Sequence, residues 1–371
     1  MRKILLIFGT RPEAIKLCPV VRSLREHPAR FDVKVCVTAQ HRQMLDQVLE
    51  AFEVRPDWDL DLMLPGQTLF QSTSRILAGL EKVFESEQPD LVIVQGDTTT
   101  TLCGALAAFY AHVPVAHVEA GLRTGDLSQP FPEELNRVLT TRLAALHFAP
   151  TEAAKRNLLA EGVNERRIFV TGNSGIDAVL YVRDALAAGR LPSPEWPQLD
   201  PSKKLIVVTA HRRESFGEGF RRICDALARL ARRRDVQIVY PVHRNPNVMH
   251  PVHRMLDDKP NILLIEPLDY VPFVDLMRRA YLLITDSGGI QEEAPSLGKP
   301  VLVLREKTER PEAVAAGTVK LVGTDTGRIV HEAERLLDDE TEYARMARIH
   351  NPYGDGHASE RIREAIETWL K

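Results

Sequence analysis

Three acidic residues in the first half of the chain stand where acid–base chemistry would need them. Asp97 comes shortly after the apolar run Leu91–Val94, and Glu119 comes directly after the apolar run Val113–Val118. Glu133 opens a later segment of helical period. Grouped carboxylates raise one another's pKa values, as proton transfer near neutral pH requires. We therefore predict a cluster of catalytic carboxylates, with a helix N-cap as the alternative role of Asp97.

A second polar group, in the second half of the chain, is suited to phosphate. A predicted strand ends just before Ser287, Gly288 and Gly289, which lead into a helix. Backbone N–H groups that no side chain covers would face an incoming phosphate there. Glu293 lies one turn further on, where a carboxylate can accept bonds from a ribose diol, and Arg310 is a candidate bidentate phosphate partner.

Cationic and imidazole side chains follow the first predicted strand of each half. The turn that begins at Gly9 is followed by Arg11 and Lys16, and its N–H groups would favour an anion at the helix start. A helix start with solvated charges is the alternative there. His211 could stabilise a phosphate or transfer a proton near pH 7, with a packing or capping role as the alternative.

Short apolar runs alternate with segments of helical period, which places these polar residues at strand ends. The runs are continuously apolar, as parallel strands buried on both faces are. This alternation predicts doubly wound parallel sheets with right-handed crossovers. In the first half we predict strands at Ile4–Phe8, Val33–Val37, Leu91–Val94, Val113–Val118, Leu146–Phe148 and Ile168–Val170. In the second half we predict strands at Leu205–Val208, Val236–Tyr240, Ile262–Ile265, Leu282–Thr285, Val301–Leu304 and Val319–Val322.

The pattern divides the chain into two α/β domains, residues 1–186 and 205–371. The segment between them, residues 187–204, contains four prolines and no sustained apolar periodicity, so we predict an interdomain linker. A final helix near residues 358–370 could pack on either domain. We expect the two Rossmann-like domains to face a central cleft, with ligands at the carboxyl ends of the strands.

Composition excludes several classes of protein. The 371 residues carry 48 basic and 51 acidic side chains, a net charge of −3, so no global basic excess points to nucleic acid or to an anionic membrane. Four scattered cysteines without C-x-x-C spacing argue against a disulfide framework and fit a reducing compartment. No apolar stretch approaches a membrane span. We therefore expect a cytoplasmic protein.

Signals for the common cofactors are missing from the sequence. It contains neither G-x-x-x-x-G-K-[ST] nor G-x-G-x-x-G, so neither a P-loop nor the usual dinucleotide fingerprint is predicted. The acidic run at residues 57–61 is interpreted as a solvated turn. His243, His250 and His253 lack zinc-site spacing and are interpreted as structural. These patterns predict neither a metal site nor a cofactor site.

Eight sequence blocks together resemble one enzyme family, the non-hydrolysing bacterial UDP-N-acetylglucosamine 2-epimerases. They extend over nearly the whole chain and are long, ordered and specific. The blocks are GTRPEAIK (9–16), VTAQHR (37–42), GDTTTT (96–101), HVEAGLRTGD (117–126), AHRRES (210–215), TDSGGIQEEAPSLGKP (285–300), RPEAV (310–314) and NPYGDG (351–356).

The resemblance implies a GT-B-like fold, a homodimer, and reversible conversion of UDP-GlcNAc to UDP-ManNAc that supplies surface polysaccharide synthesis. It implies that the catalytic carboxylates are Asp97, Glu119 and Glu133. It also implies a nucleotide-sugar site, whose residues would be Arg11, Lys16, His211, Phe273, Ser287, Gly288, Gly289, Glu293 and Arg310. The segment with Gln40, His41 and Gln43 is similar to the region where some relatives bind a second UDP-GlcNAc as activator. Leu268 stands where some relatives have a glutamine near the uracil.

The family's chemistry agrees with this inventory of residues. The C2 proton of the sugar is not acidic, so the enzyme would expel UDP from C1, form a 2-acetamidoglucal and add UDP back. The alternatives are a hydrolysing relative that releases free ManNAc, a GT-B glycosyltransferase, and a nucleotide-sugar sensor without turnover. The unbroken motif match disfavours the first, and the carboxylate set disfavours the other two.

Overall fold

The computed structural model describes residues 1–38, 42–64 and 66–371, with the backbone alone at positions 42 and 43. The described chain forms two compact α/β units. Unit 1 comprises Met1–Ala178 and Gly354–Lys371, and unit 2 comprises Val179–Tyr353. Each unit contains one parallel sheet, which confirms the predicted fold class.

Unit 1 contains a seven-stranded sheet in the order β3-β2-β1-β4-β5-β6-β7, with every strand pair parallel. Its strands are β1 (Arg2–Phe8), β2 (Phe31–Val37), β3 (Trp58–Asp59), β4 (Leu91–Gln95), β5 (Val115–Val118), β6 (Leu146–Ala149) and β7 (Ile168–Val170). The helices of this part of the chain are α1 (Arg11–Arg25), α2 (Arg42–Ala51), α3 (Leu69–Glu87), α4 (Thr99–Tyr110), α5 (Glu133–Leu143), α6 (Glu152–Ala160) and α7 (Ser174–Ala187).

Unit 2 contains a six-stranded sheet in the order β10-β9-β8-β11-β12-β13, again with every pair parallel. Its strands are β8 (Lys204–Thr209), β9 (Val236–Pro241), β10 (Ile262–Ile265), β11 (Leu282–Thr285), β12 (Val301–Val303) and β13 (Val319–Leu321). Its helices are α8 (Glu218–Leu230), α9 (Pro246–Leu256), α10 (Tyr270–Arg279), α11 (Gly288–Glu293), α12 (Pro311–Ala316), α13 (Thr326–Asp338) and α14 (Glu340–Ala347).

Both sheets reverse their strand order at one internal point, β1/β4 in unit 1 and β8/β11 in unit 2. Ligands of open α/β sheets bind outside the carboxyl ends of the strands at such a point. The strands there carry buried runs: Ile4 to Phe8 of β1 are all 0% exposed, and all four residues of β11 are buried. The fold therefore directs attention to the residues that follow β1, β4, β8 and β11.

The last helix, α15 (Ala358–Trp369), belongs to unit 1, a choice that the sequence left open. It packs on α1, and its N-terminus is held by Asp177, whose carboxylate accepts the N–H groups of Ala358 (3.2 Å) and Ser359 (2.7 Å). A carboxylate is stabilising at a helix N-terminus, and burial raises the pKa of Asp177.

Two parts of the chain differ from the sequence-based expectation. The acidic run at residues 57–61 contains the edge strand β3, which pairs in parallel with β2; a two-residue strand is too short to give a sequence pattern. The proline-rich segment 187–204 lies wholly in unit 2, where Trp196 donates to Asp275 at 2.8 Å. In the described part of the chain, no helix is long and apolar enough to cross a membrane.

Candidate functional site

The turn after β1 is closed by a carboxylate of its own chain. Glu13 is buried, and its Oε2 accepts the N–H groups of Gly9 (3.1 Å) and Thr10 (2.7 Å), while Thr10 caps α1 in return. Its Oε1 accepts the hydroxyl groups of Thr98 (2.7 Å) and Thr101 (3.3 Å). Burial raises the pKa of Glu13 despite these four bonds. These bonds already satisfy the N–H groups of Gly9 and Thr10, so anion binding at this helix start stays a prediction for Arg11 and Lys16.

Glu119 is held between a lysine and an amide at the end of β5. Both of its carboxylate oxygens lie 2.6 Å from Lys16 Nζ, and Gln95 Nε2 donates to Oε2. Glu119 has a φ of 63°, a left-handed backbone conformation that is strained for a residue with a side chain and is common at functional sites. Lys16 and Gln95 therefore fix the direction of the Glu119 side chain, and Lys16 also places a positive charge beside it.

Asp97 lies beside the start of α5. Arg137 Nη2 donates to Asp97 Oδ2, and Asn136 Nδ2 donates to the Asp97 carbonyl oxygen at 2.9 Å. The alternative N-cap role does not apply, since Thr98 caps α4 by accepting the N–H of Thr101 at 3.1 Å. The Asp97 side chain keeps 28% of its surface exposed, so a ligand can reach it.

Glu133 and its neighbour Glu134 differ in burial and in contacts at the start of α5. Glu133 is half-buried at the first helical position, whereas Glu134 is buried and accepts the N–H groups of Thr124 and Gly125, both at 3.0 Å. The second oxygen of Glu134 lies 3.2 Å from Arg137 Nη1. Glu134 thus anchors the preceding loop, and Glu133 remains the candidate for chemistry.

Sequence reasoning missed Gln95 and Arg137, the partners of the two candidate carboxylates. Gln95 is the last residue of β4, and its direction toward Glu119 depends on the pairing of β4 with β5. Arg137 lies one turn into α5, and its reach to Asp97 depends on how that helix packs. The sequence signal for both residues was weak. Gln95 is only a polar residue at the end of a buried strand, and Arg137 is only a basic residue three positions after an acidic one.

Two histidines of β5 and β6 are buried beside the same strand ends. His117 and His147 are register partners, and His117 Nε2 donates to the Gly96 carbonyl oxygen at 2.7 Å. Burial lowers the pKa of His117 to about 3 and that of His147 to about 4, so both rings are neutral at pH 7. Gly96 has a φ of 74° and precedes Asp97, so His117 supports the turn that carries Asp97.

In unit 2, the switch point joins His211 to a buried aspartate. Asp286 follows β11 directly, and its Oδ2 accepts the N–H groups of His211 and Arg212, both at 2.7 Å. Its Oδ1 lies 3.3 Å from His211 Nδ1. The paired strand ends are fixed by a hydrogen bond of 2.6 Å between the hydroxyl groups of Thr209 and Thr285. Burial lowers the pKa of His211, and the Asp286 carboxylate opposes that effect.

His243 is placed against His211, although its sequence position gave only a structural interpretation. The two rings stack with centroids 5.6 Å apart and an interplanar angle of 18°. His243 follows β9, the neighbour of β8 in the sheet, and no sequence spacing signals this pairing of loops. Within the described ranges, no group of three or more His, Cys, Asp or Glu side chains is arranged to hold a metal ion.

The run of serine and glycines begins α11, as predicted, and Arg310 lies against it. Ser287 is the N-cap residue, and a Cβ atom at Gly288 would lie 3.0 Å from Arg310 Cζ, so a side chain there would displace the Arg310 guanidinium. Arg310 donates through Nε to Glu292 Oε1 at 2.7 Å and through Nη1 to Glu309 at 3.1 Å. Glu293 ends the helix on a half-exposed turn.

The other predicted binding residues lie in separate places. Arg11 is half-buried at the first position of α1, and Phe273 is half-buried in α10. Of the predicted activator residues, Gln40 and His41 lie outside the described residues, and for Gln43 the side chain does as well.

Comparisons with known proteins agree on one family. The sequence profile described as UDP-N-acetylglucosamine 2-epimerase matches residues 22–367. A UDP-N-acetylglucosamine 2-epimerase of Escherichia coli K12 is 60% identical over 370 residues, covering 98% of each chain. The crystal structure of a UDP-GlcNAc 2-epimerase of Neisseria meningitidis, bound to UDP-GlcNAc, is 50% identical with a TM-score of 0.89 and covers 99% of both chains. The UDP-GlcNAc 2-epimerase of Methanocaldococcus jannaschii is 36% identical with a TM-score of 0.82, also covering 99% of both chains.

Proposed function

The chain belongs to the UDP-N-acetylglucosamine 2-epimerase family, and from that premise we propose that it interconverts UDP-GlcNAc and UDP-ManNAc by eliminating and re-adding UDP. The observation that carries this proposal is the pair of carboxylates that follow neighbouring strands, each with a cation on it: Glu119 with Lys16 and Asp97 with Arg137. A protein that only bound a nucleotide sugar would have no use for this arrangement.

The reaction has two linked parts. The bond between C1 and the β-phosphate oxygen breaks, and its electron pair leaves with UDP while positive charge develops on the sugar. A carboxylate then takes the C2 proton to give 2-acetamidoglucal. Return of a proton to the opposite face of C2 and of UDP to C1 completes the inversion. Carboxylates stabilise the developing positive charge and also serve as proton acceptors.

Unit 1 supplies the proton chemistry in this proposal. Asp97, Glu119 and Glu133 share proton transfer and stabilisation of the cationic sugar. Lys16 stands 2.6 Å from the Glu119 carboxylate, so this carboxylate has a cation beside it. Arg137 cannot be deprotonated and is held by Glu134, so Asp97 keeps its cation throughout the reaction.

Unit 2 supplies recognition of UDP. We assign the diphosphate to His211, Arg310 and the serine–glycine run at 287–289, the ribose diol to Glu293, and the uracil to Phe273. The support is the geometry at α11, where the absence of a side chain at Gly288 lets the Arg310 guanidinium lie against the helix start. Since Leu268 carries no polar side-chain atom, backbone groups at that position would make the hydrogen bonds to the uracil.

Product identity tests the proposal against its alternatives. Pure protein incubated with UDP-GlcNAc alone should yield UDP-ManNAc at equilibrium, resolved by anion-exchange chromatography. Free ManNAc with UDP would move the assignment to the hydrolysing relatives. Unchanged UDP-GlcNAc together with tight UDP binding would indicate a sensor, or a transferase that lacks its acceptor.

The product would supply surface polysaccharide synthesis in the cytoplasm. All four cysteines are free and buried, which supports a reducing compartment.

We further propose a homodimer formed through the apolar face of α3 and α4. Phe109 and Tyr110 are 58% and 67% exposed and pack on each other at 6.4 Å, beside a groove of about 790 Å³ between the two helices. Exposed apolar clusters of this kind commonly mark interfaces. Light scattering should give twice the 41.7 kDa of one chain, and F109E/Y110E should give the monomer mass; a wild-type monomer would refute the proposal.

A further inference from the structure

The two oxygens of Asp286 make different contacts, although the whole side chain is buried. Oδ2 accepts two backbone N–H groups, those of His211 and Arg212, at 2.7 Å each. Oδ1 accepts no hydrogen bond from any described residue and lies 3.3 Å from Nδ1 of the His211 ring. A buried carboxylate oxygen without a donor is unfavourable, so a donor at the imidazole nitrogen would be stabilising.

We propose that Asp286 is the positioning residue of His211: its Oδ1 accepts the Nδ1–H of the imidazole, which fixes the ring and leaves Nε2 to meet the ligand. The ligand chemistry that fits Nε2 is a phosphate oxygen, which accepts from Nε2 once that nitrogen is protonated. The identity of that ligand as UDP rests on the proposed function. The tautomer and the orientation of His211 are inferred from the contacts of Asp286 and do not depend on that function.

The surroundings of the ring leave it little freedom to turn. The backbone of the preceding residue is held because Tyr240 donates its hydroxyl group to the Ala210 carbonyl oxygen at 2.8 Å. On one side the ring stacks on His243, which is itself oriented because its Nδ1 accepts the Asn245 N–H at 3.1 Å. Rotating His211 away from Asp286 would therefore break the stack as well as the contact with Oδ1.

The charges around His211 agree with this role. Burial lowers the pKa of the ring most strongly, Asp286 opposes that effect, and His243 and Arg212 add to the lowering. A neutral imidazole has one N–H, and free histidine distributes it between two tautomers. A carboxylate at Nδ1 selects the Nδ1–H tautomer, because the other would place two acceptors against each other. Nε2 then carries a lone pair that can take up a proton when an anion binds.

Nitrogen NMR of the histidine side chains tests this inference without any ligand. In the full-length protein labelled with ¹⁵N-histidine, the His211 signal is assigned by its loss in His211→Gln. We expect the wild-type ring to be in the Nδ1–H tautomer, and Asp286→Asn to shift it toward Nε2–H. The matched control is Asp275→Asn, which changes another fully buried carboxylate of unit 2 that contacts Trp196, Arg278 and Arg279 but no histidine.

The result that overturns the inference is a wild-type His211 in the Nε2–H form. This outcome is decided on the wild-type protein, so it holds even if Asp286→Asn fails to fold. An Asp286→Asn protein that folds and keeps the wild-type tautomer would also overturn it.

A double-mutant cycle on UDP affinity tests whether Asp286 acts through His211. We expect Asp286→Asn to weaken UDP binding about tenfold in the wild-type background and to have little further effect in a His211→Ala background. An equal loss in both backgrounds would mean that Asp286 only supports the fold. If His211→Ala leaves UDP affinity unchanged, the assignment of His211 to the UDP site fails, while the NMR result still decides the role of Asp286.

Discussion

Two aspartates follow corresponding strands of the two units, and their surroundings differ. Asp97 follows β4 and Asp286 follows β11, each beside the first strand of its sheet. Asp286 comes directly after its strand and is 0% exposed, with its carboxylate bound to backbone N–H groups. Asp97 is separated from its strand by Gly96, whose positive φ turns the chain, and its side chain is 28% exposed and meets Arg137. One inserted glycine thus separates a structural carboxylate from one that a substrate can reach.

The histidines of the two units differ in the opposite sense: the one in unit 1 is buried, and the one in unit 2 is partly exposed. His117 in unit 1 lies in a strand, is buried, and supports the Gly96 carbonyl oxygen. His211 in unit 2 follows its strand, and its side chain is 40% exposed. At these strand ends, the accessible side chain is thus a carboxylate in unit 1, Asp97, and an imidazole in unit 2, His211. The comparison teaches that similar sheets present different chemistry according to which side chain stands beyond the strand end, and under the proposed function this difference separates proton transfer from phosphate binding.

The largest expected effect comes from removing the exposed aspartate of unit 1. Asp97→Asn should lower kcat by roughly 10²–10⁴-fold, because a general acid–base group is lost, while UDP affinity stays within about twofold since UDP is assigned to unit 2. Steady-state kinetics and calorimetry measure the two quantities. Glu165→Gln, which changes an exposed carboxylate paired with Lys155, is the control. If Asp97→Asn keeps wild-type turnover, Asp97 is not a general acid–base group, and the contrast drawn with Asp286 fails.

The buried histidines of unit 1 should make this unit sensitive to acid. The pKa values of His117 and His147 are about 3 and about 4 in the folded protein, below the ordinary value of 6.5. The unfolded chain therefore binds more protons below pH 6.5, and stability is lost as the pH falls from 6.5 toward 4. Each ring contributes about 1.4 kcal/mol per pH unit in that range.

Hydrogen exchange of unit 1 peptides between pH 5 and 7, corrected for the intrinsic exchange rate, measures this dependence. His117→Gln keeps a donor for the Gly96 carbonyl oxygen but cannot titrate, so the pH slope of its opening free energy should be smaller, by up to about 1.4 kcal/mol per pH unit at the acid end of this range. An unchanged slope would contradict the neutral, buried state of His117.

A smaller effect is expected from changing the guanidinium of unit 2. Arg310→Lys keeps the positive charge but loses the fork that matches a phosphate, so UDP should bind roughly tenfold more weakly. The C2 proton exchange of bound substrate should persist at saturation, because the carboxylates of unit 1 are intact. Arg221→Lys, an exposed arginine of unit 2 paired with Glu218, should bind UDP normally. Equal affinities in both variants would remove Arg310 from the UDP site.

The smallest effect is expected from thiol reagents. Burial raises the pKa of Cys36, Cys103 and Cys224 to about 12 and that of Cys18 higher still, so thiolate is scarce in both units. Brief treatment of the native protein with an alkylating reagent should leave activity within about twofold of the untreated enzyme. Rapid inactivation by modification of one cysteine would show that a unit opens in solution.

Strand ends could be predicted from the sequence because the signal for a buried parallel strand is local. Leu282–Thr285 and Ile262–Ile265 were predicted with the bounds that the structure has. The same runs located Asp97, Glu119 and His211 at strand ends, and the assignment of α11 to the residues after Ser287 was correct.

Partners of the site residues could not be predicted, because they depend on contacts distant in sequence. Arg137 reaches Asp97 across 40 positions, and Lys16 reaches Glu119 across 103. The pairing of His243 with His211 requires knowledge that β9 lies next to β8. The role of Glu13 was hidden because a glutamate in a first helical turn is normally solvated, whereas here two threonines of another helix close over it.

Proton NMR of the reaction in deuterated water tests the central claim most directly. The purified protein is incubated with UDP-GlcNAc and no added cofactor. Elimination and re-addition through the carboxylates of unit 1 predict UDP-ManNAc that carries deuterium at C2, with deuterium also entering C2 of the remaining UDP-GlcNAc. UDP-ManNAc that retains its original C2 proton would contradict the account.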